Sequence, residues 1–381
     1  MDKEFKLPKD FLWGSATSSY QVEGGIENND WAEAARHGKV PEAGQAADHF
    51  IRYEEDFDSA KNLGHNAHRL SIEWARVEPR RGEFNEAAIM HYRNVLRALR
   101  IRGLEPFVTL WHFTLPDWFS KMGGFNHSEA SALFSRYCVE VIGALQGEAR
   151  FWITMNEPMV YASEGHQKGA WPPFKKNFFS YLATISSLIH AHRKTYSMIK
   201  RINPSLQIGI AKHNICFESD HKLWNTFARN TLDWFWNRRF LNGIVQYQDF
   251  IGLNYYMRHA FGRHESFPKT DMGWEVYPEG LYKTLLDVKT YGVPIYITEN
   301  GIADESDTKR AQFLYDHITA LKRAVLKGVP VKGYFYWSLL DNFEWAHGFT
   351  KRFGLLELDY ATMKRTIRPS ALEYKKIILS S

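Results

Sequence analysis

A (β/α)8 barrel is the fold the sequence predicts, and three observations predict it. Eight short runs rich in β-branched and aromatic residues recur along the chain, segments of helical periodicity lie between them, and no dinucleotide or P-loop glycine signature follows any run. The first run covers 11–21 and leads to a helical segment at 48–63; the second covers 67–74 and leads to a helix at 86–102. The third run, 104–112, precedes a helix at 128–145, and the fourth, 151–156, precedes a helix at 178–200. Runs five and six cover 206–213 and 249–256, run seven covers 294–299 with a helix at 307–327 behind it, and run eight covers 331–338. A last helical segment spans 370–379. Strand and helix alternate throughout, and right-handed crossovers then keep every strand parallel. An open doubly wound sheet is the rival, disfavoured by the missing glycine motifs. No low-complexity linker or internal repeat divides the chain, so a single domain over 1–381 is expected, with long loops after the first and fourth strands and around 341–359.

Composition narrows the function. The 381 residues are 44% hydrophobic and 24% charged, the balance of a folded globular chain with ample core. The net charge of +5 is diffuse, with no block of like charges, so nucleic acid is not an expected partner. Arg93, Arg97, Arg100 and Arg102 recur at helical spacing and read as a solvated helix face. Cys138 and Cys216 are the only cysteines, too few for a disulfide scaffold or a cysteine zinc site. The segment 1–10 is charged and lacks an apolar run, and no stretch is long and apolar enough to span a membrane, so a cytoplasmic protein is expected. The histidine pairs His65/His68 and His190/His192 lack acidic co-ligands; no metal and no cofactor are expected. Aromatics reach 15%, which suits an aromatic core and equally a platform that stacks on sugar C–H faces.

Barrel chemistry sits at the C-terminal strand ends. Strand one closes with Gln21 and Glu23, strand two carries Arg69 and Glu73, strand three ends at Trp111 and His112, and strand four at Asn156-Glu157-Pro158. Strand six ends Asn254-Tyr255-Tyr256, strand seven Glu299-Asn300-Gly301, and strand eight Trp337-Ser338, followed by Asp341, Glu344 and Trp345. Singly, each has a structural explanation, such as a turn-forming asparagine or a core histidine. Together, two glutamates on the fourth and seventh strands, ringed by amide, imidazole and indole groups, fit glycoside hydrolysis, which needs a carboxylic acid and a carboxylate on opposite faces of the sugar. Glu157 and Glu299 are that pair. A separation of ~5–5.5 Å corresponds to retention and ~6.5–9.5 Å to inversion.

The segment FLWGSATSSYQVEG at 11–24 resembles the N-terminal signature of glycoside hydrolase family 1, the β-glucosidase family. TMNEP at 154–158 is similar to its acid/base motif, ITENG at 297–301 to its nucleophile motif, and WSLLDNFEW at 337–345 with KRFG at 351–354 to its sugar-binding segment. The resemblance implies a retaining β-glycosidase acting on terminal β-glucosyl residues, and on β-galactosyl or β-fucosyl residues, of aryl or alkyl glycosides or short oligosaccharides. It implies Glu299 as nucleophile, supported by Arg69, Asn254 and Tyr256, and Glu157 as acid/base. Gln21, His112, Asn156 and Glu344 would bond the sugar hydroxyls, with Trp337 and Trp345 stacking on the ring and Trp111 in support. Glu344, Trp345 and Phe353 stand where phospho-β-glycosidases carry phosphate-binding residues, and Glu157 is retained where myrosinases lack it.

The alternatives are a transglycosylating or galactosidase-biased member and a non-catalytic sugar-binding barrel. Compared with the family, the chain is short between Asn156 and Asn254, where 241–248 runs almost directly into the sixth strand, and 255–278 is compact. A wider entrance accepting long or bulky aglycones is expected from this. The oligomeric state stays open.

Overall fold

The structure is a computed structural model describing residues 6–381; residues 1–5 of the charged segment 1–10 lie outside the described residues. Eight parallel strands close into a barrel in chain order: β1 (Leu12–Ala16), β2 (Ala67–Ser71), β3 (Glu105–Thr109), β4 (Phe151–Asn156), β5 (Gln207–Ser219), β6 (Phe250–Phe261), β7 (Ile295–Asn300) and β8 (Val331–Trp337). β8 pairs back onto β1, with Gly14 opposite Phe335, so no barrel edge is left unpaired. The crossovers carry α1 (His49–Asn62), α2 (Glu86–Ile101), α3 (Ala130–Leu145), α4 (Phe178–Ile202), α5 (Leu223–Asp233), α6 (Arg239–Ile244), α7 (Pro278–Val288) and α8 (Arg310–Leu326), and α9 (Pro369–Ser380) ends the chain. A hairpin of β9 (Leu356–Asp359) and β10 (Lys364–Ile367) follows β8.

Local chemistry sets these elements. Asn85 and Asn177 start α2 and α4 by accepting from the backbone N–H of Ala88 and Ser180, at 3.2 and 2.8 Å. α2 buries Ala88, Tyr92, Val95, Leu96 and Leu99, an i, i+4, i+7 stripe, while Arg97, Arg100 and Arg102 bond Glu148, Gly147 and Asp58 at the surface. Arg97 and Arg100 are exposed, as the solvated-face reading expects, whereas Arg93 and Arg102 are half-buried.

The lower barrel is filled by rings. Phe107, Phe151, Phe250, Tyr296 and Phe335 form one buried cluster, and Phe107 stacks on Phe151 with centroids 4.3 Å apart. Gly209 makes room for this plug, since a Cβ there would lie 2.6 Å from the Phe250 ring. Gly301 is required for a different contact: its Cβ would sit 1.8 Å from the carbonyl oxygen of Trp337, so only glycine lets the chain leave β7 against the end of β8. The plug forms a floor, and polar groups gather above it.

The ends of β1, β5 and β6 differ from expectation. The run at 11–21 is not one strand: β1 stops at Ala16, and residues 19–22 make a helical turn fixed by Ser18 Oγ donating to Gln21 and by Ser19 N–H donating to Ser71. Short polar side chains there offer the backbone a local alternative to the ladder. β5 and β6 in turn overrun their expected ends at 213 and 256, pairing as far as Ser219 opposite Phe261. The chain from Ile244 to Phe250 enters β6 within a few residues, as expected. Among the described residues no helix is long and apolar enough to cross a membrane.

Candidate active site

The two glutamates reach the barrel mouth from strands of opposite sides. Glu299 is the next-to-last residue of β7, while Glu157 follows β4 with φ of 42°, a left-handed backbone that a non-glycine residue adopts only when its surroundings impose it. Its N–H donates to the Ala211 carbonyl at 2.8 Å, and Pro158 starts the next helical turn directly behind it.

One polar network ties both carboxyl groups together. Arg69, wholly buried on β2, donates through Nη1 to Glu299 Oε1 and through Nη2 to Asn156 Oδ1 at 2.7 Å, with Nε on Thr109 at 3.1 Å. Tyr256 Oη donates to the other Glu299 oxygen at 2.7 Å. Asn254 Nδ2 donates to Glu157 Oε1 at 2.8 Å and lies 3.2 Å from Asn156 Oδ1, and its own carbonyl oxygen accepts from Thr298 at 2.7 Å. Glu299 is therefore held by a cation and a phenol, Glu157 by a neutral amide.

Their electrostatics diverge accordingly. Burial, and then the charge of Glu299, push the Glu157 carboxyl up to about 8 against the pull of the Asn254 hydrogen bond. Glu344 is pushed up to about 8 by the same two causes in the same order. Burial first and the Glu299 charge second raise the Tyr256 phenol well above its ordinary range, so it stays a donor. Burial also holds His112 well below its ordinary range, as a neutral imidazole.

A cavity of about 980 Å³ opens above the pair. Gln21, His112, Asn156, Trp337, Glu344 and Trp345 all line it. Gln21 Nε2 donates to the Phe343 carbonyl at 2.8 Å and to Asn342 at 3.0 Å, which fixes the amide beside Glu344. The His112 ring lies nearly parallel to Trp337 and Trp345, with interplanar angles of 20° and 13°. Its Nδ1 is buried without a protein partner, and Nε2 lies 3.2 Å from Asn156 Nδ2. Donors, acceptors and indole faces thus converge on a space that suits a sugar ring.

Trp111, counted with the substrate-binding residues as a support, lies behind the site and not on its surface. Its indole N–H is spent on the Thr114 carbonyl at 3.0 Å and its rings pack on Phe125 and Tyr161, so it braces the wall behind His112 and does not line the cavity. Arg69 and Asn254 also lie outside the lining, but they contact the carboxyl groups directly. The fifth strand, absent from the expected set, also reaches the cavity, midway along its length. Lys212 is buried there with its ammonium 5.7 Å from the Trp236 ring, lowered by burial to about 7, and His213 lines the cavity. The polar triplet Lys212-His213-Asn214 after an apolar run carries the signal that marked the other strands.

A closed barrel with two buried glutamates at its mouth, in unlike environments, is the arrangement of a glycoside hydrolase. The model of Glycosyl hydrolase family 1 matches residues 3–241 and 229–381, and its break falls in the connection between β5 and β6. A Thermotoga maritima protein named Beta-glucosidase A is 34% identical over 436 aligned residues, covering 98% of each chain. A Sulfolobus acidocaldarius protein named Beta-galactosidase is 31% identical, covering 98% of this chain and 95% of its own. Among solved structures, a beta-glycosidase from Pyrococcus horikoshii superposes with a TM-score of 0.92 at 38% identity, covering 98% of this chain and 95% of that one. The chain belongs to glycosyl hydrolase family 1, and it is an O-glycosyl hydrolase on the (β/α)8 barrel that the sequence predicts. The alignment of 436 positions exceeds the 381 residues available, so the Thermotoga relative carries insertions this chain lacks.

Proposed function

We propose that the protein is a retaining β-glycosidase that removes terminal β-glucosyl residues, and β-galactosyl or β-fucosyl residues, by double displacement. The observation that carries this reading is the split between the carboxyl groups: Glu299 faces Arg69 and Tyr256, while Glu157, pushed up to about 8, holds a proton at neutral pH. Glu299 attacks the anomeric carbon as the C–O bond to the aglycone breaks, and Glu157 delivers its proton to the departing oxygen. A glycosyl ester on Glu299 results. Esterification removes the charge that helps raise Glu157, so Glu157 then takes a proton from water, whose oxygen attacks the anomeric carbon and releases Glu299. Asn156, held by Arg69, takes the sugar 2-hydroxyl in this reading, a bond that strengthens as positive charge develops on the ring. Gln21, His112 and Glu344 take the other hydroxyls, and Trp337 and Trp345 hold the ring.

The Sulfolobus relative's name supports galactosides beside glucosides. The size of the cavity and its apolar outer wall of Ile215, Phe217, Phe235 and Trp236 support aryl, alkyl and oligosaccharide aglycones. The substrate acts alone, without cofactor, in this reading.

Stereochemistry tests it. Proton NMR during hydrolysis of an aryl β-glucoside is expected to show the β-anomer of glucose first, with the α-anomer growing in only by mutarotation. Initial release of the α-anomer would mean direct displacement by water and would remove Glu299 as nucleophile.

A further inference from the structure

The overrun of β5 and β6 carries with it a helix that is turned inside out. No residue of α5 is buried, and the exposed face formed by residues 223, 224, 227, 230, 231 and 234 is mostly apolar: Leu223 is 80% exposed, Trp224 79%, Phe227 63% and Trp234 52%. Soluble helices place such a stripe inward, and a contiguous exposed patch of large apolar side chains marks an interaction surface. The patch continues to the catalytic cavity. Leu232 at the end of α5 and Phe178 at the start of α4 are exposed and also line that cavity, and Tyr181 links Phe178 to Phe235, its ring 6.2 Å from the first and 5.8 Å from the second. Phe179 adds a further apolar side chain, 80% exposed.

Cations without acidic partners surround this patch. Among the described residues, Lys175 and Lys176 before α4, Arg229 on α5, Arg239 on α6 and Arg263 after β6 make no ion pair, whereas Arg238 is taken up by Asp233. Arg229 and Arg263 line a second cavity of about 480 Å³ with His221 and His264, and Phe217 borders both cavities. The Arg258 and Lys283 charges in its wall are committed to Glu218 and Glu275.

We propose that α5, the β5–β6 tip and the start of α4 form a docking face for anionic lipid bilayers, with the mouth of the catalytic cavity at its edge. Leu, Trp and Phe enter the acyl boundary while unpaired Lys and Arg meet lipid phosphates, the pattern of a helix lying in the membrane plane. A second copy of the chain fits less well, because a twofold contact sets these uncompensated cations against themselves. The docking claim rests on the glycosidase reading only for what the mouth does at the bilayer.

Vesicle sedimentation tests it without reference to catalysis. The protein is expected to sediment with phosphatidylglycerol vesicles at 50 mM NaCl, and at least fivefold less with phosphatidylcholine vesicles or at 500 mM NaCl. The triple variant Leu223→Ser, Trp224→Ser, Phe227→Ser is expected to lose sedimentation at least tenfold, and Arg229→Gln with Arg263→Gln to weaken it and flatten its salt dependence. None of these residues except Arg229 and Arg263 lines either cavity, and none lines the catalytic one, so hydrolysis of a soluble aryl glucoside stays unchanged and reports that the variants fold. The proposal is overturned if the wild-type protein stays in the supernatant with phosphatidylglycerol at low salt, or if the triple variant sediments equally. It is also overturned if sedimentation velocity shows a dimer that the triple variant dissociates, which makes a second copy the occupant.

Discussion

Glu299→Ala is expected to lower kcat on an aryl β-glucoside by about 10⁴-fold or more, because on the proposed mechanism the nucleophile works as a unit with its partners and cannot be replaced piecemeal. The structure supplies the reason for so large an effect. Both oxygens of Glu299 are engaged, one by Arg69 and one by Tyr256, so the side chain is held in one orientation below the sugar space. Its removal leaves the wholly buried Arg69 guanidinium with only Asn156 and Thr109 among its side-chain partners. A small anion fits the vacated place beside that cation. Azide is expected to restore part of the activity and to yield the α-glycosyl azide, the product of one inversion, which steady-state rates and NMR of the product check together. Restoration with the β-configured product would assign the nucleophile elsewhere.

The second large effect belongs to Glu157. Glu157→Ala is expected to lower kcat/KM by about 10²–10⁴-fold for a glycoside whose alcohol is a poor leaving group, and far less for a dinitrophenyl glucoside that departs without a proton. Azide is expected to intercept the glycosyl ester in this variant and to give the β-glycosyl azide, the opposite outcome to that at Glu299. The pH dependence follows from the sign of the shift. On the proposed mechanism activity needs the protonated carboxyl, raised to about 8 by burial and by Glu299, so kcat/KM of the wild-type enzyme is expected to hold at neutral pH and to fall as pH rises through about 8. In Glu157→Ala that limb disappears. A wild-type profile already lost between pH 4 and 5 would show that Glu157 is not the acid.

Much of this was legible in the residues, for definite reasons. Strand runs such as 151–156 and 294–299 end in Asn156-Glu157 and Glu299-Asn300, where an apolar period breaks into polar groups, and barrel geometry turns that break into a shared site. Helices with an inward apolar stripe, such as α2, were equally plain. The failures have physical causes. α5 was missed because its apolar face points outward, which defeats any reading that assigns the apolar stripe to the core. The end of β1 was misplaced because the hydrogen bonds of Ser18 and Ser19 override the strand propensity of Tyr20 and Val22. The supporting place of Trp111 is legible only as a neighbour of His112; which way its indole packs is set by its hydrogen bond to the Thr114 carbonyl. Lys212 and His213 stand where the fifth run ends at 213 but carry no carboxylate or family motif, and in the structure the strand continues past them to Ser219.

On the proposed mechanism Glu299 bonds covalently to the sugar while Glu157 manages the proton. Intact mass after incubation with an activated 2-deoxy-2-fluoro-β-glucoside addresses it most directly, since fluorine destabilises the oxocarbenium-like transition states and the activated leaving group lets the first step outrun the second. The expected result is one fluoroglucosyl adduct per chain, mapped by peptide sequencing to Glu299 and absent from Glu299→Ala. A folded protein that gives no adduct with the fluoroglucoside, fluorogalactoside or fluoromannoside, or one that carries the label on another residue, would contradict it.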